Sequence, residues 1–226
     1  MKKKPEQLIE RYIIFVVGLL IMAFGFVLLI ISDIGATPWD VLHVGLFLQL
    51  GLTIGTWSII VGIMILASTS LLTKSWPKIG AFLNMLLVGV FIDLYLLLPF
   101  LKTPSHVVGQ FVMGVIGIVV VGFGMCLYIS ARLGAGPRDS LMLAIRDKTG
   151  WKVQHVRSIL EIFVLVAGWL LGGPIFIGTF LFAFTIGPVT GWAFPLCERL
   201  TNRLLLLSRV KKMRDLNDQS MKRGIS

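Results

Sequence analysis

Gly35-Ala36-Thr37-Pro38-Trp39-Asp40 returns 99 residues later as Gly134-Ala135-Gly136-Pro137-Arg138-Asp139. At the same offset, without a gap, Gly18 falls on Gly117, Phe24-Gly25 on Phe123-Gly124, Leu42 on Leu141 and Gly51 on Gly150. Gly80 and Gly89 find their counterparts in Gly178 and Gly187 after a displacement of one residue. Self-similarity of this extent marks two copies of one structural unit.

The medium in which those copies fold follows from composition. Hydrophobic residues make up 56% of the 226 and charged residues only 14%, with a mean hydropathy of +0.90. A soluble domain of this size has too little polar surface to cover so much apolar material. A helix rises about 1.5 Å per residue, so roughly 20 apolar residues cross a hydrocarbon core about 30 Å thick. Six runs fit: Tyr12–Ser32, Thr56–Thr73, Ile79–Phe100, Val107–Ser130, Val156–Leu171 and Ile175–Cys197. The fifth is short and carries Arg157 and Glu161. The pattern predicts an all-α integral membrane protein with six transmembrane helices. Its parts are a basic N-terminus (1–11), a three-helix repeat (12–100), a second three-helix repeat (107–197) and a basic tail (198–226).

Basic residues bias the loops that carry them toward the cytoplasm. With six spans and both ends inside, 20 of the 21 Lys and Arg residues fall on the cytoplasmic side, leaving only Lys102 outside. Five spans would divide the clusters between both faces. The net charge of +10 is then accounted for by anionic lipid headgroups, at about 1 kcal/mol per basic residue near the surface. The tail, Leu204–Leu207 followed by Arg209, Lys211, Lys212 and Arg214, suits a short interfacial helix. It has no stacking aromatics or nucleic-acid motif. The N-terminal run is too long for a cleaved signal peptide and has an internal counterpart, so it reads as a retained helix. Cys126 and Cys197 fall toward the cytoplasmic ends of their spans and read as small packing residues rather than a disulfide.

Three spans per copy is an odd number, so the second copy enters the membrane from the opposite side. The halves are expected to be inverted about an axis lying in the membrane plane, the plan of many transporters and channels. After the first span of each half, Gly35 and Gly134 suit a helix C-terminus, and Pro38 and Pro137 suit the first turn of a new helix. Asp40 and Asp139 meet the exposed N–H groups and the dipole of that turn. The restarted segments, Trp39–Leu50 and Arg138–Thr149, read as short helices at opposite interfaces, Asp40 toward the outside and Asp139 toward the cytoplasm. Re-entrant half-helices are the other reading, but the spans that follow are long enough to cross unaided.

Polar residues inside spans point to function. Asp93 lies about two-thirds of the way along the third span, one turn from Gly89 and near Asn84. It is either a structural carboxyl bonded to a partner such as Asn84 or an ion or proton site. Arg157 and Glu161 are spaced for a local ion pair. His43 and His155 sit at interfacial positions without metal-ligand spacing. Walker A, His-Glu-x-x-His and nucleophile-elbow signatures are absent, so neither an enzyme nor a cofactor is expected.

With Gly35-Ala36-Thr37-Pro38-Trp39-Asp40, and with Gly178-Thr179-Phe180 leading to Ile186-Gly187-Pro188, the chain resembles the YczE-like membrane proteins of bacteria, grouped with the YitT and YyaS proteins. The resemblance runs from about Tyr12 to Cys197. It implies a bacterial cytoplasmic membrane protein and supplies neither substrate nor functional residues. The first copy reads Gly80-Ala81 where the second has Gly178-Thr179, so the halves are expected to differ in role. Together these readings describe a small transporter or permease-like protein for a small molecule or ion. The alternative is a non-transporting regulator or assembly factor that recruits a partner through its basic face. A homo-oligomer is compatible with either.

Overall fold

A computed structural model describes residues 7–223, apart from the side chains of Val153, Gln154 and the residues beyond Val210. Lys2, Lys3 and Lys4, and the side chains of Lys211, Lys212, Arg214, Lys222 and Arg223, therefore lie outside the described residues. The described chain is helical: α1 (Leu8–Ile31), α2 (Pro38–Leu50), α3 (Ile54–Thr73), α4 (Ile79–Leu96), α5 (Val107–Ser130), α6 (Pro137–Thr149), α7 (Val153–Leu170) and α8 (Ile177–Arg223). Five of them, α1, α3, α4, α5 and α8, are long and apolar enough to cross a membrane. The fifth apolar run corresponds to the 18-residue α7, which carries Arg157 and Glu161.

The repeat is written into the backbone as well as the sequence. Asp33 and Arg132, 99 residues apart, turn left-handed after α1 and α5 at φ 58° and 59°. Gly51 and Gly150 close α2 and α6 at φ 72° and 71°. Gly35 and Gly134 are not the helix-stopping residues themselves; they lie two positions further on, at φ 120° and 149°. Pro38 and Pro137 open α2 and α6 as expected, where a missing N–H removes nothing from the helix.

Packing is dominated by the α1–α5 crossing. A Cβ on Gly18 would lie 2.5 Å from the Tyr128 amide nitrogen, and one on Gly25 would lie 2.6 Å from that of Val121. Gly117 abuts Leu29 in turn. Contact partners fall in number on α5 as they rise on α1, so the helices run antiparallel. Glycines admit this approach because only they let backbones come so close. Phe15, Leu19, Val27 and Val121, none of them accessible, fill the seam.

The two copies also exchange partners. α2 packs on α7 and α3 on α6. The first motif loop is held by the start of α8, where the Gly178 N–H donates to the Ile34 carbonyl at 2.7 Å. A Cβ on Gly35 would strike Thr179, so the loop needs that glycine. The second motif loop meets the start of α4 in the corresponding way, the Leu133 carbonyl against Gly80. Gly80 and Gly178 thus owe their repetition to one job done twice.

The tail departs from expectation. No separate interfacial helix begins after Cys197; α8 continues for 47 residues, through Pro188 and Pro195, to Arg223. Cys126 and Cys197 are buried, free thiols between α5 and α8, consistent with packing.

Candidate functional site

The N-termini of α2 and α6 converge on a cavity of about 120 Å³. Thr37, Pro38 and Trp39 approach it from the first copy, and Gly136, Pro137, Arg138 and Asp139 from the second. Trp39 and Arg138 occupy equivalent positions in the repeat and meet there. The guanidinium carbon lies 4.8 Å from the centroid of the Trp39 ring and 5.8 Å from that of Phe26, both within cation–π range. Among the described residues Arg138 makes no ion pair or hydrogen bond. Asp40, Asp139 and Glu161 act on it only through space.

The carboxylates around it are engaged elsewhere. Asp40 is fully buried, not surface-facing. Its Oδ2 accepts from the Thr37 hydroxyl at 2.6 Å, while Thr37 Oγ1 accepts from the Asp40 N–H at 3.2 Å. This is a helix cap that leaves the buried Asp40 Oδ1 without a hydrogen-bond partner. His43 Nδ1 stands 3.7 Å from Asp40 Oδ1, too far for a hydrogen bond. Burial pulls the imidazole below its ordinary value near 6.5, against the opposing pull of Asp40, so it is neutral at pH 7. His43 is therefore an interior residue of the site, not an interfacial one, whereas His155 is exposed.

In the second copy Gly136 replaces Thr37, and α6 has no side-chain cap. Asp139 instead accepts a hydrogen bond from the Tyr128 hydroxyl at 3.1 Å. Glu161 accepts from Arg157 at 2.8 Å, the expected local pair, and both line the cavity. Asn84 enters from α4 beside Gly136, to whose Cβ position its Oδ1 lies 3.0 Å. It is 7% exposed, and its Nδ2 finds no hydrogen-bond partner. Met22, Phe26, Met85, Met125, Met142 and Phe182 complete a largely apolar wall.

Of the residues singled out in the sequence, Pro38, Pro137, Asp139 and Asn84 line the cavity and Asp40 lies directly behind it. Asp93 is not part of it and does not pair with Asn84. It sits in the last turn of α4, where Oδ1 accepts from the Gly55 N–H at 2.8 Å and Oδ2 from the Thr53 hydroxyl. It therefore caps the start of α3. Nine residues of helix, about 14 Å, separate it from Asn84. Sequence reasoning missed Trp39 and Arg138, the pair at the centre. The signal was present: alongside Thr37 and Gly136, theirs is the motif position where the two copies differ most in chemistry.

Relatives carry the same plan over most of their length. The chain is 47% identical over 199 residues to the uncharacterized membrane protein YczE of Bacillus subtilis, covering 87% of this chain and 91% of that one. It is 35% identical over 183 residues to an uncharacterized protein of Haemophilus influenzae, covering 81% and 83%. To the uncharacterized protein YyaS of Bacillus subtilis it is 30% identical over 192 residues, covering 84% and 94%. No solved structure matches it. The model of a family of unknown function, DUF6198, matches residues 9–195. The repeated motif, the glycine-packed bundle and these relatives agree: the chain belongs to the DUF6198 family of YczE-like membrane proteins.

Proposed function

We propose that this protein is a small transporter or permease whose substrate site is the cavity between the two motifs. The observation that carries the proposal is the meeting of Trp39 and Arg138, equivalent positions of the repeat, in a partly polar cavity. Six spans in two inverted halves, with α7 crossing alongside α1, α3, α4, α5 and α8, account for the exchange of partners between copies. Under a two-fold axis in the membrane plane, the Gly18–Tyr128 contact maps onto the Gly117–Leu29 contact, and both are present. Helix starts aimed at a site between inverted halves are a recurrent means of holding a substrate near the midplane. The distribution of basic residues supports both termini on the cytoplasmic side of a bacterial membrane, against anionic lipid. The protein is read as a non-enzyme without a cofactor, self-association being compatible with it.

One observation favours the second reading, a membrane regulator or assembly factor recruiting a partner through its basic face: the α1–α5 seam is packed through glycine like a rigid scaffold. The cavity beside it weighs for transport.

Two measurements test the proposal. Single cysteines at Ser105 and at Lys152 should label from the outside and from the cytoplasm respectively, and labelling of both from one side would remove the inverted halves. Liposomes holding the protein should swell in iso-osmotic gradients of some member of a panel of amino acids, short carboxylates and polyols. Ser58→Trp, which fills the cavity, should stop that swelling. Swelling by no member of the panel would leave the regulator reading.

A further inference from the structure

The cavity combines features that its own residues leave unused. Arg138 presents a guanidinium clasped between Trp39 and Phe26 with no carboxylate bound to it. Asn84, buried to better than nine-tenths, has an amide donor without a partner and lines the same space. The 13-residue α6 starts at this wall without the side-chain cap that Thr37 gives α2. A helix start carries unsatisfied N–H groups and the positive end of the dipole. Three sets of donors thus converge on one place. Of the carboxylates nearby, Asp139 accepts from Tyr128 and Glu161 from Arg157, and Asp40, whose Oδ1 is unpartnered, acts on Arg138 only through space.

We infer that the cavity binds a small monocarboxylate with an apolar body, its carboxylate held by Arg138 and Asn84 at the start of α6. This inference deepens the reading of the cavity as a substrate site and rests on it. Donors without acceptors call for a ligand that brings acceptors, and a planar guanidinium matches a carboxylate in a two-point contact. The charge is limited to one. Arg138 and Arg157 formally balance Asp139 and Glu161 among the lining residues, so every added negative charge meets the two lining acids and a monoanion is opposed least. The remaining wall of methionine and phenylalanine suits an aliphatic or aromatic group. An engineered cavity of about 150 Å³ takes benzene, so about 120 Å³ suits a body of that order.

The test uses the purified full chain in detergent, with benzoate and butyrate as probes at constant ionic strength. Their neutral counterparts benzamide and butyramide, and inorganic phosphate, are the controls. Ligands that bind the folded state raise its melting temperature. Benzoate or butyrate should raise it, and the amides and phosphate should not. Arg138→Gln should weaken carboxylate binding by about 10- to 100-fold, the scale of losing charge-assisted hydrogen bonds. Asn84→Ala should also weaken it, by about 3- to 10-fold, without lowering the melting temperature of the free protein, because the amide donor it removes has no partner. If Arg138→Gln fails to fold, Asn84→Ala decides alone. An equal shift with amides, a shift with phosphate alone, unaltered binding in both variants, or no shift with either carboxylate would each overturn the inference. Binding that depends on Arg138 but is accompanied by no carboxylate swelling in liposomes would leave the anion site standing and remove the transport reading.

Discussion

Replacing Gly25 by alanine should destabilise the protein by about 1–2 kcal/mol, and the structure supplies the working. The added Cβ would lie 2.6 Å from the Val121 nitrogen and 2.7 Å from its Cγ2, where ordinary contact begins at 3.4 Å. The nearest obstacle is backbone, so α1 and α5 must part by most of an ångström along the core of the bundle. Overpacking of this kind costs typically about 1–3 kcal/mol, and alanine's better helix propensity returns roughly 0.5–1 kcal/mol. Gly117→Ala should cost less, because its closest neighbour is the Leu29 side chain at 3.0 Å, which can shift. Gly187→Ala, with nothing within 4 Å of the added atom, should be neutral or stabilising. Reversible unfolding in mixed micelles of increasing SDS fraction would rank the three. Equal midpoints for Gly25→Ala and Gly187→Ala would refute the account of the α1–α5 seam.

Asp93→Leu should destabilise by about 1–3 kcal/mol by leaving the Gly55 N–H without an acceptor, and Asp93→Asn by about 1 kcal/mol or less, in the same unfolding assay. In liposomes, pH-dependent uptake should survive Asp93→Asn; its loss in a folded variant would instead make Asp93 a coupling site. His43 has a lowered folded-state pKa, so the unfolded chain takes up its proton first and stability should decline as pH falls below about 6.5. His43→Gln should flatten that part of the stability profile, and an unchanged slope would reject the buried neutral imidazole.

Element boundaries were the legible part of this protein, because punctuation by Gly and Pro acts locally. Pro38 and Pro137 open their helices as the sequence predicts, and Val107–Ser130 is a helix to the residue. The stop residues were misassigned by two positions, since Asp33 and Arg132 take the left-handed turn while Gly35 is kept for its approach to Thr179. That contact spans more than a hundred residues of chain and leaves no local trace. Asp93 was misplaced for a related reason. The apolar run to Phe100 put it two-thirds of the way along a span, whereas α4 ends at Leu96 and Asp93 lies in its last turn. A cap supplied to the start of α3 is visible only once the helices are assembled. The tail was divided from the last span at Cys197, where the apolar run ends, yet α8 continues past that point to Arg223. At the site, the motif residues were found as structural punctuation. Their convergence on Arg138 and Trp39 depends on how the two copies face each other.

The contact between Trp39 and Arg138 bears on why the two copies share one polypeptide. A single-copy chain pairing with itself would set like against like at this position. Two guanidinium groups would repel each other in a poorly solvated space, and two indoles would close it with nothing to offer a guest. A pair of identical copies cannot carry an indole on one side and a cation on the other; this fused pair does. The same holds two residues earlier, where Thr37 seals one helix start while Gly136 leaves the other open. Joining the copies thus releases the positions nearest their meeting point from being identical, and those are the positions at which this chain has become two different halves.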